Sequence, residues 1–154
     1  YLLVDGRDHV ADVSGEEGTP AVDLVATGAV LPEVLEAAAE LADEGVVANV
    51  VDVSSPGRFY GAWQRTVRQA VRTATAASLA GPLRTVLGSR HPIVSVHDSS
   101  SHALAWLGSA LGVSQIALGV DEFGQSGTLG DLYRAHDIDA GSIVNAALAV
   151  LSLP

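Results

Sequence analysis

The strongest constraint on the fold of this chain is an alternation of short apolar runs with longer segments of helical periodicity. Runs rich in valine, isoleucine and alanine predict strands at residues 22–26, 46–53, 93–97 and 115–120. The spacing of apolar residues predicts helices over residues 31–43, 61–80, 100–111, 128–135 and 141–151. Residues 1–4 and 9–13 indicate short extended segments at the start, and residues 54–57 indicate a loop.

Strands that alternate with helices of this length are typical of βαβ units, in which helices cover both faces of a parallel sheet. We therefore predict an α/β fold. Residues 1–154 are expected to form a single three-layer αβα domain with a mostly parallel, doubly wound sheet of about five strands. Hydrophobic residues make up 48% of the chain, which is ample for one core.

Two features bear on the setting of the domain. The chain begins at Tyr1 and contains no methionine, so we expect a fragment of a larger protein. No apolar run reaches the roughly 18 residues that a membrane span requires, so we expect a cytoplasmic protein without a membrane partner. Richness in alanine, valine, glycine and arginine indicates a GC-rich and, in our interpretation, bacterial genome.

Missing residue types exclude several kinds of chemistry. The chain has no cysteine, which excludes disulfides, thiolate metal sites and cysteine nucleophiles. All eight basic residues are arginine, so a phosphate-binding loop of the Walker type and Schiff-base catalysis, which both need lysine, are excluded as well. The formal net charge of −10 argues against a nucleic-acid-binding surface.

Ligands of doubly wound folds bind beyond the carboxyl ends of the strands, where two segments carry polar groups or glycine. Thr27-Gly28-Ala29 offers one glycine instead of the three of a dinucleotide fingerprint, which favours a tight turn over a phosphate site. The run from His97 to His102 invites comparison with a Ser–His–Asp hydrolase. No G-x-S-x-G turn supports a nucleophile, and helix capping by Asp98 or a serine explains most of the cluster.

Two further features indicate contacts with a partner. Arg65, Arg68 and Arg72 share one face of a predicted helix in an otherwise acidic chain. They form either a solvated face or a docking surface for an acidic neighbour. Residues 119–128 form a glycine-containing loop with one large aromatic side chain, Phe123, which we expect to pack against another surface. Thr128 is expected to cap the helix that follows.

The end of the chain resembles a known family. The segments G-V-D-E-F-G-Q-S-G-T-L-G-D-L and D-I-D-A-G-S-I-V-N-A-A-L are similar to the end of the C-terminal domain of the transketolase superfamily, whose members use thiamine diphosphate. The matching positions are Asp121, Phe123, Gly124, Ser126, Leu132 and Asp139. Earlier pieces fit the same register, and His91-Pro92-Ile93-Val94-Ser95 with Asp98 resembles the decarboxylase component of pyruvate dehydrogenase. The resemblance covers nearly the whole chain.

This resemblance implies that thiamine diphosphate and Mg²⁺ are bound by domains that precede this one, across a dimer interface. We therefore assign no catalytic, cofactor-binding or metal-binding residue to this chain. The implied role is assembly of a pyruvate dehydrogenase-type or transketolase-like enzyme that transfers a two-carbon unit. The candidate interface residues are Asp121, Phe123, Gly124, Gln125, Ser126, Arg65, Arg68 and Arg72. The candidate residues at the rim of the acceptor channel are His97, Asp98, Ser99 and His102.

Two alternatives stay open. The chain could be a separate subunit or docking module of a split transketolase-like enzyme, passing a two-carbon unit to an acyl carrier protein, and a lipoyl domain is a further candidate partner. The other alternative is a self-contained hydrolase that uses His97, Asp98 and a serine.

Overall fold

The computed structural model describes residues 1–9, 18–77, 82–87, 90–122, 124 and 126–153. Two short 3₁₀ turns, Gly6–Asp8 and Ser101–Ala103, accompany the strands and helices of this part of the chain. These elements are, in chain order, β1 (Leu2–Val4), β2 (Ala21–Thr27), α1 (Leu31–Asp43), β3 (Val47–Asp52), α2 (Pro56–Thr73), α3 (Pro82–Val86), β4 (Ile93–His97), α4 (Leu107–Leu111), β5 (Gln115–Leu118), α5 (Leu129–Ala135) and α6 (Ala140–Leu151).

The five strands form one sheet in the order β1-β3-β2-β4-β5. β1 runs antiparallel to β3 at one edge, and the other three pairings are parallel. The chain steps from β2 outward to β3 and then crosses back to β4, so the winding direction reverses between β2 and β4. The predicted α/β fold with a mostly parallel, doubly wound sheet is therefore confirmed. At the reversal, Thr27 at the end of β2 pairs in register with His97 at the end of β4.

Alternate residues of each strand face opposite sides of the sheet, because successive side chains of a strand point in opposite directions. Val22 and Leu24 join the larger apolar cluster, to which α1 and α6 contribute. Val25 and Ile93 join the smaller cluster on the other side, which Phe59 of α2 contacts. Complete burial of a valine, leucine or isoleucine side chain stabilises the fold by about 1.5–3 kcal/mol. Both faces of the sheet therefore contribute to stability.

Helix α1 has the bounds that the sequence predicts, because its signals are local. Pro32 lies in the first turn, where a missing N–H is harmless. Val34, Ala37 and Leu41 recur at helical spacing and are completely buried. Gly45 follows the helix with a φ of +78°, a conformation that glycine adopts without strain.

Helix α2 differs from the prediction at both ends. It begins at Pro56, so the expected loop over residues 54–57 is wrong in its second half. Proline lacks the backbone N–H that a helix leaves unpaired in its first turn, and here it starts the helix. The helix ends at Thr73, before the expected end at residue 80, and Ala74 takes a left-handed conformation with a φ of +52°. Residues 78–80 lie outside the described part of the chain.

The predicted helix over residues 100–111 is wrong as a single element. The structure has a 3₁₀ turn at Ser101–Ala103 and then the short helix α4. Asp121, twenty residues downstream, accepts hydrogen bonds from Ser100 and Ser101 and fixes the first turn by a contact that local sequence does not reveal. α3 was not predicted, and residues 10–13 of the expected second extended segment lie outside the described residues.

The helices of the described ranges include none that is both long and apolar enough to cross a membrane.

Candidate functional site

The loops that follow β2, β4 and β5 meet at the carboxyl edge of the sheet. The backbone N–H of Ala29 donates a hydrogen bond to Asp98 Oδ2 at 2.6 Å. Gly28 has a φ of +93°, and a Cβ there would lie 2.3 Å from Asp98 Oδ1. The glycine is therefore required both by its backbone conformation and by the close approach of the carboxylate. This geometry confirms the tight-turn interpretation of Thr27-Gly28-Ala29.

This contact places a negative charge where a doubly wound fold often binds an anionic ligand. The reversal point between β2 and β4 and the start of the following helix are the usual position of a phosphate. Here the carboxylate of Asp98 takes a backbone N–H at that position. A phosphate would meet a like charge and would have to displace an existing hydrogen bond.

His97 lies beside Asp98 at the end of β4. Its Nδ1 is 2.9 Å from Asp98 Oδ1, and the backbone N–H of Ser99 points to the same nitrogen at 3.2 Å. The contact with the carboxylate needs a proton on Nδ1, whereas the contact with Ser99 needs its lone pair, so one tautomer satisfies only one of them. The structure thus brings three of the four predicted channel-rim residues, His97, Asp98 and Ser99, together at this edge.

The fourth, His102, belongs to a separate set of contacts. Ser100 Oγ lies 2.9 Å from His102 Nδ1 and 3.0 Å from Asp121 Oδ1. A hydrolytic relay needs the histidine between the serine and the carboxylate, so that the imidazole can take the serine proton. In this structure the serine is the middle group, and its hydroxyl donates to Asp121. This arrangement holds two loops together and lacks the order of a Ser–His–Asp relay.

Asp121 fastens the end of β5 to the loop after β4. Its Oδ1 accepts the backbone N–H of Ser101 at 3.0 Å. Hydrogen bonds from the Ser101 hydroxyl and amide, then from Ser100, and the nearby His102 hold the pKa of Asp121 below its ordinary value of 3.8. Gly119 lies so close to this loop that a Cβ would be 2.4 Å from the Ser101 nitrogen. The predicted interface residue Asp121 therefore has a structural role within the domain.

The remaining loop residues of the predicted interface are described in part. Gly124 is exposed with a φ of +103°, and Ser126 is exposed. Phe123 and Gln125 lie outside the described residues, so their predicted contact role stays a prediction. Thr128 caps α5 as expected, since its Oγ1 accepts the N–H of Asp131 at 3.3 Å.

A cavity of about 400 Å³ opens beside this loop. Helix α5 supplies Tyr133, whose residue surface is 8% exposed. Burial first, and then the charges of Asp98 and Glu33, raise the pKa of the Tyr133 phenol above its ordinary value. The residues that line the cavity are Ala29, Asp98, Val120, Glu122, Gly124, Leu129, Leu132, Tyr133, His136 and Ile138. Residue type and spacing indicate this loop, whereas the contribution of α5 arises only in the folded domain.

The predicted arginine stripe lies on α2, on the opposite side of the sheet from α1. Arg65, Arg68 and Arg72 are all exposed, and none of them forms an ion pair with another described residue. Their nearest polar contact is the 3.5 Å approach of an Arg68 nitrogen to the Gln64 side chain. The structure therefore presents the three guanidinium groups to the outside of the domain.

The charges of the chain are unevenly distributed along the sequence. Residues 53–97 contain six arginines and no acidic residue, although the chain as a whole carries a net charge of −10. Helix α2 lies within this segment and has no acidic residue of its own. The cavity on the carboxyl edge, in contrast, has two carboxylates and no arginine among its lining residues. The domain thus presents surfaces of opposite charge.

Asp23 is a buried polar residue that the sequence pattern does not indicate as a site. Asp23 is 1% exposed within the apolar strand β2. Its Oδ1 accepts a hydrogen bond from Asn49 Nδ2 at 2.8 Å and lies 3.2 Å from His91 Nδ1. Asn49 Oδ1 accepts the backbone N–H of Gly6 at 3.0 Å. This set of contacts joins β2, β3 and the chain before β4, and we assign it a structural role.

Within the described ranges, no group of three or more histidine or acidic side chains is placed to hold a metal ion. The polar groups of the carboxyl edge bind one another and the backbone. These contacts hold the loops of the carboxyl edge in place, and an acidic cavity opens beside them.

Comparison with known proteins identifies the relatives of this chain. The family profile described as "Transketolase-like TK C-terminal domain" matches residues 10–139. Among curated protein sequences there is no match. Among solved structures, a split gene transketolase described as an inactive β4 tetramer superposes with a TM-score of 0.59 at 25% sequence identity, over 90% of this chain and 41% of that chain.

Two other transketolases share the fold at lower identity. A transketolase from Leishmania mexicana superposes with a TM-score of 0.58 at 21% identity, over 88% of this chain and 17% of that chain. A transketolase from Pichia stipitis gives 0.58 at 18% identity, over 89% of this chain and 17% of that chain. This chain therefore spans less than half the length of the solved relatives described here.

Proposed function

This chain belongs to the transketolase-like C-terminal domain family, and on that basis we propose that it assembles a thiamine-diphosphate-dependent enzyme that transfers a two-carbon unit. In this proposal, the cofactor and Mg²⁺ are held by the preceding domains or by partner subunits, and the complete enzyme is a cytoplasmic homodimer. The domain contributes interfaces and has no activity when isolated.

The observation that carries this proposal is the packing of α2. The helix is 18 residues long, and none of its residues is buried. Only its first half reaches the smaller apolar cluster, through Phe59 and Trp63, whereas Val71 in the second half is 80% exposed. Helices of this length are stabilised mainly by an apolar face packed on other structure. The exposed half of α2 is therefore best explained as a surface that another part of the enzyme covers.

The described residues do not fit the diphosphate and its metal. A diphosphate at the strand ends needs free backbone N–H groups, and Asp98 already accepts the N–H of Ala29 there. A bound Mg²⁺ needs oxygen ligands grouped around one point, and no such group exists among the described side chains.

We favour a transketolase-like enzyme over a pyruvate dehydrogenase. The relatives named above are transketolases, and one of them is the product of a split gene. The latter supports a version of the proposal in which this chain is a separate subunit that joins a cofactor-binding partner. The pyruvate dehydrogenase alternative rests on the likeness of the segment from His91 to Asp98 alone.

The proposal is tested with the enzyme purified from its native source. We expect it to contain thiamine diphosphate and to transfer a two-carbon unit from its substrate to an acceptor. Removal of this domain, by deletion or by omission of the subunit, should abolish assembly and activity together. Full activity of the remaining domains in its absence would show that the domain has another role.

A second candidate function, docking of an acidic partner such as an acyl carrier or lipoyl domain, is favoured by the arginine stripe on α2. The three guanidinium groups are exposed and form no ion pair with a described residue, and such groups bind carboxylates and phosphates well. Charge reversal of Arg65, Arg68 and Arg72 to glutamate should weaken carrier binding at low salt by at least about tenfold. Reversal of Arg7 and Arg134, which pair with Asp5 and Asp131 inside the domain, is the matched control. Equal carrier binding by both variants would contradict this candidate.

A further inference from the structure

The cavity beside α5 combines apolar side chains with two carboxylates. Leu129, Leu132 and Ile138 supply apolar surface, while Asp98 and Glu122 supply carboxylates. Its volume of about 400 Å³ lies within the range of about 300–1,000 Å³ that is typical of binding sites. Leu129, at the start of α5, is 64% exposed. Leu129 and the exposed carboxylate of Glu122 are thus available to a partner, whereas the Asp98 carboxylate already accepts the N–H of Ala29.

Tyr133 gives an independent sign that something binds here. Its residue surface is almost entirely removed from solvent, since it is 8% exposed, yet its hydroxyl forms no hydrogen bond with any described residue. Every described side-chain nitrogen or oxygen that is completely inaccessible has a hydrogen-bond partner. The Tyr133 hydroxyl must therefore retain access to the cavity that it lines. A polar group that enters the cavity can therefore form a hydrogen bond with this hydroxyl.

The charges of the lining residues determine whether a cation or an anion binds in the cavity. Asp98 and Glu122 line it, and His136 is the one basic side chain among the lining residues. Glu122 is exposed and forms no ion pair within the described part of the chain. The raised pKa of the Tyr133 phenol reflects burial and the negative charges nearby. An anionic ligand is disfavoured here, and a cationic group is favoured.

We propose that this cavity receives an arginine or lysine side chain from the cofactor-binding part of the enzyme. Such a side chain has an aliphatic stem that packs on Leu129 and Leu132 and a charged head that reaches Glu122 and the Tyr133 hydroxyl. Its N–H groups donate to both oxygens.

This inference rests on the proposed function, because it needs a cofactor-binding partner. A photo-crosslinking amino acid at position 129 of the intact enzyme tests it first. We expect the crosslinked peptide to come from the cofactor-binding part and to contain an arginine or lysine within one helical turn of the crosslink. A crosslinked peptide from that part without a basic residue would overturn the cavity assignment and leave the proposed function standing. If no cofactor-binding domain or subunit co-purifies with this chain, the proposed function itself is wrong.

Charge exchange provides the second test. In the intact enzyme, Glu122→Lys should speed hydrogen exchange of the amides of α5 by about tenfold or more, because like charges expel the partner side chain. Replacement of the partner's basic residue by glutamate should restore slow exchange in the Glu122→Lys enzyme. Glu36→Lys, an exposed residue of α1 that does not line the cavity, is the matched control.

Tyr133→Phe keeps the ring in place and should also speed this exchange, but less than Glu122→Lys. Identical exchange in the Glu122→Lys and Glu36→Lys enzymes would overturn the proposal, as would absence of rescue by the exchanged charge. Binding of a small amine or a metal ion at the cavity of the assembled enzyme would likewise show that the cavity is free and the assignment wrong.

Discussion

The carboxylate of Asp98 accepts the backbone N–H of Ala29 across the point where the winding of the sheet reverses, at a distance of 2.6 Å. The two residues are 69 positions apart in the chain. With this contact, the Asp98 carboxylate occupies the position at which doubly wound folds often bind an anion. Asp98 thus holds two loops of the carboxyl edge together, and it also lines the cavity that opens beside this contact.

The first prediction concerns Gly28. Gly28→Ala should destabilise the domain by about 3 kcal/mol, because a positive φ strains alanine and its Cβ would displace the Asp98 carboxylate. Gly45→Ala is the matched control, because Gly45 also has a positive φ but a Cβ added there would meet no other atom within 4 Å. This control should lose only about 1 kcal/mol. Denaturant unfolding measures both, and equal losses would contradict the role given to the Asp98 contact.

The second prediction concerns Asn49. Asn49→Ala should destabilise the fold by about 2–4 kcal/mol, because it leaves the Gly6 N–H without its acceptor and the buried Asp23 carboxylate without one donor. Asn145→Ala, an exposed site on α6, should change the free energy of unfolding by less than about 0.5 kcal/mol. A similar small effect at both sites would show that the buried contacts contribute little.

The third prediction concerns pH. The folded-state pKa of Asp121 is lowered, so its ionised form is favoured by folding. Its contribution to stability is therefore present above the ordinary pKa of 3.8 and is lost as pH falls through the lower folded value. Asp121→Asn should flatten the fall in unfolding free energy below about pH 4. Asp8→Asn, at an exposed aspartate, is the control. An unchanged acid limb in the Asp121→Asn variant would contradict the assignment.

The fourth prediction comes from the sequence. Phe123→Ala should weaken dimer assembly of the complete enzyme while the domain remains folded, because the resemblance places this aromatic at an interface. Dilution experiments that follow the mass of the complex measure the effect. Leu35→Ala, at a 40% exposed residue of α1, serves as a control for the loss of apolar surface. Unaltered assembly of the Phe123→Ala enzyme would remove the loop from the interface.

The sequence predicted those parts of the fold that depend on local signals. Alternating patterns and Gly45 were sufficient for β2, α1 and β4, and Thr128 marked the start of α5. Pro56 was mistaken for a loop residue because proline is compatible with both a loop and a first helical turn. The contact that holds Ser101 at the start of the 3₁₀ turn was missed because its partner, Asp121, lies 20 positions away.

The candidate site could likewise be predicted from the sequence only in part. The arginines of α2 and the polar residues of the carboxyl edge could be identified from residue type and position. The role of Tyr133 could not, since its burial and its lack of a described hydrogen-bond partner arise only when α5 packs on the edge of the sheet. Contacts such as that between Asp98 and Ala29 depend on strand order, which residue patterns alone do not determine.

The most direct test of the central claim, that this chain assembles a thiamine-diphosphate enzyme, is an intact-mass and cofactor measurement on the protein purified from its native source. We predict thiamine diphosphate in the preparation, bound by a chain several times longer that includes this sequence or by a partner subunit that co-purifies with it. A protein little longer than 154 residues that purifies alone and without thiamine diphosphate would contradict the account.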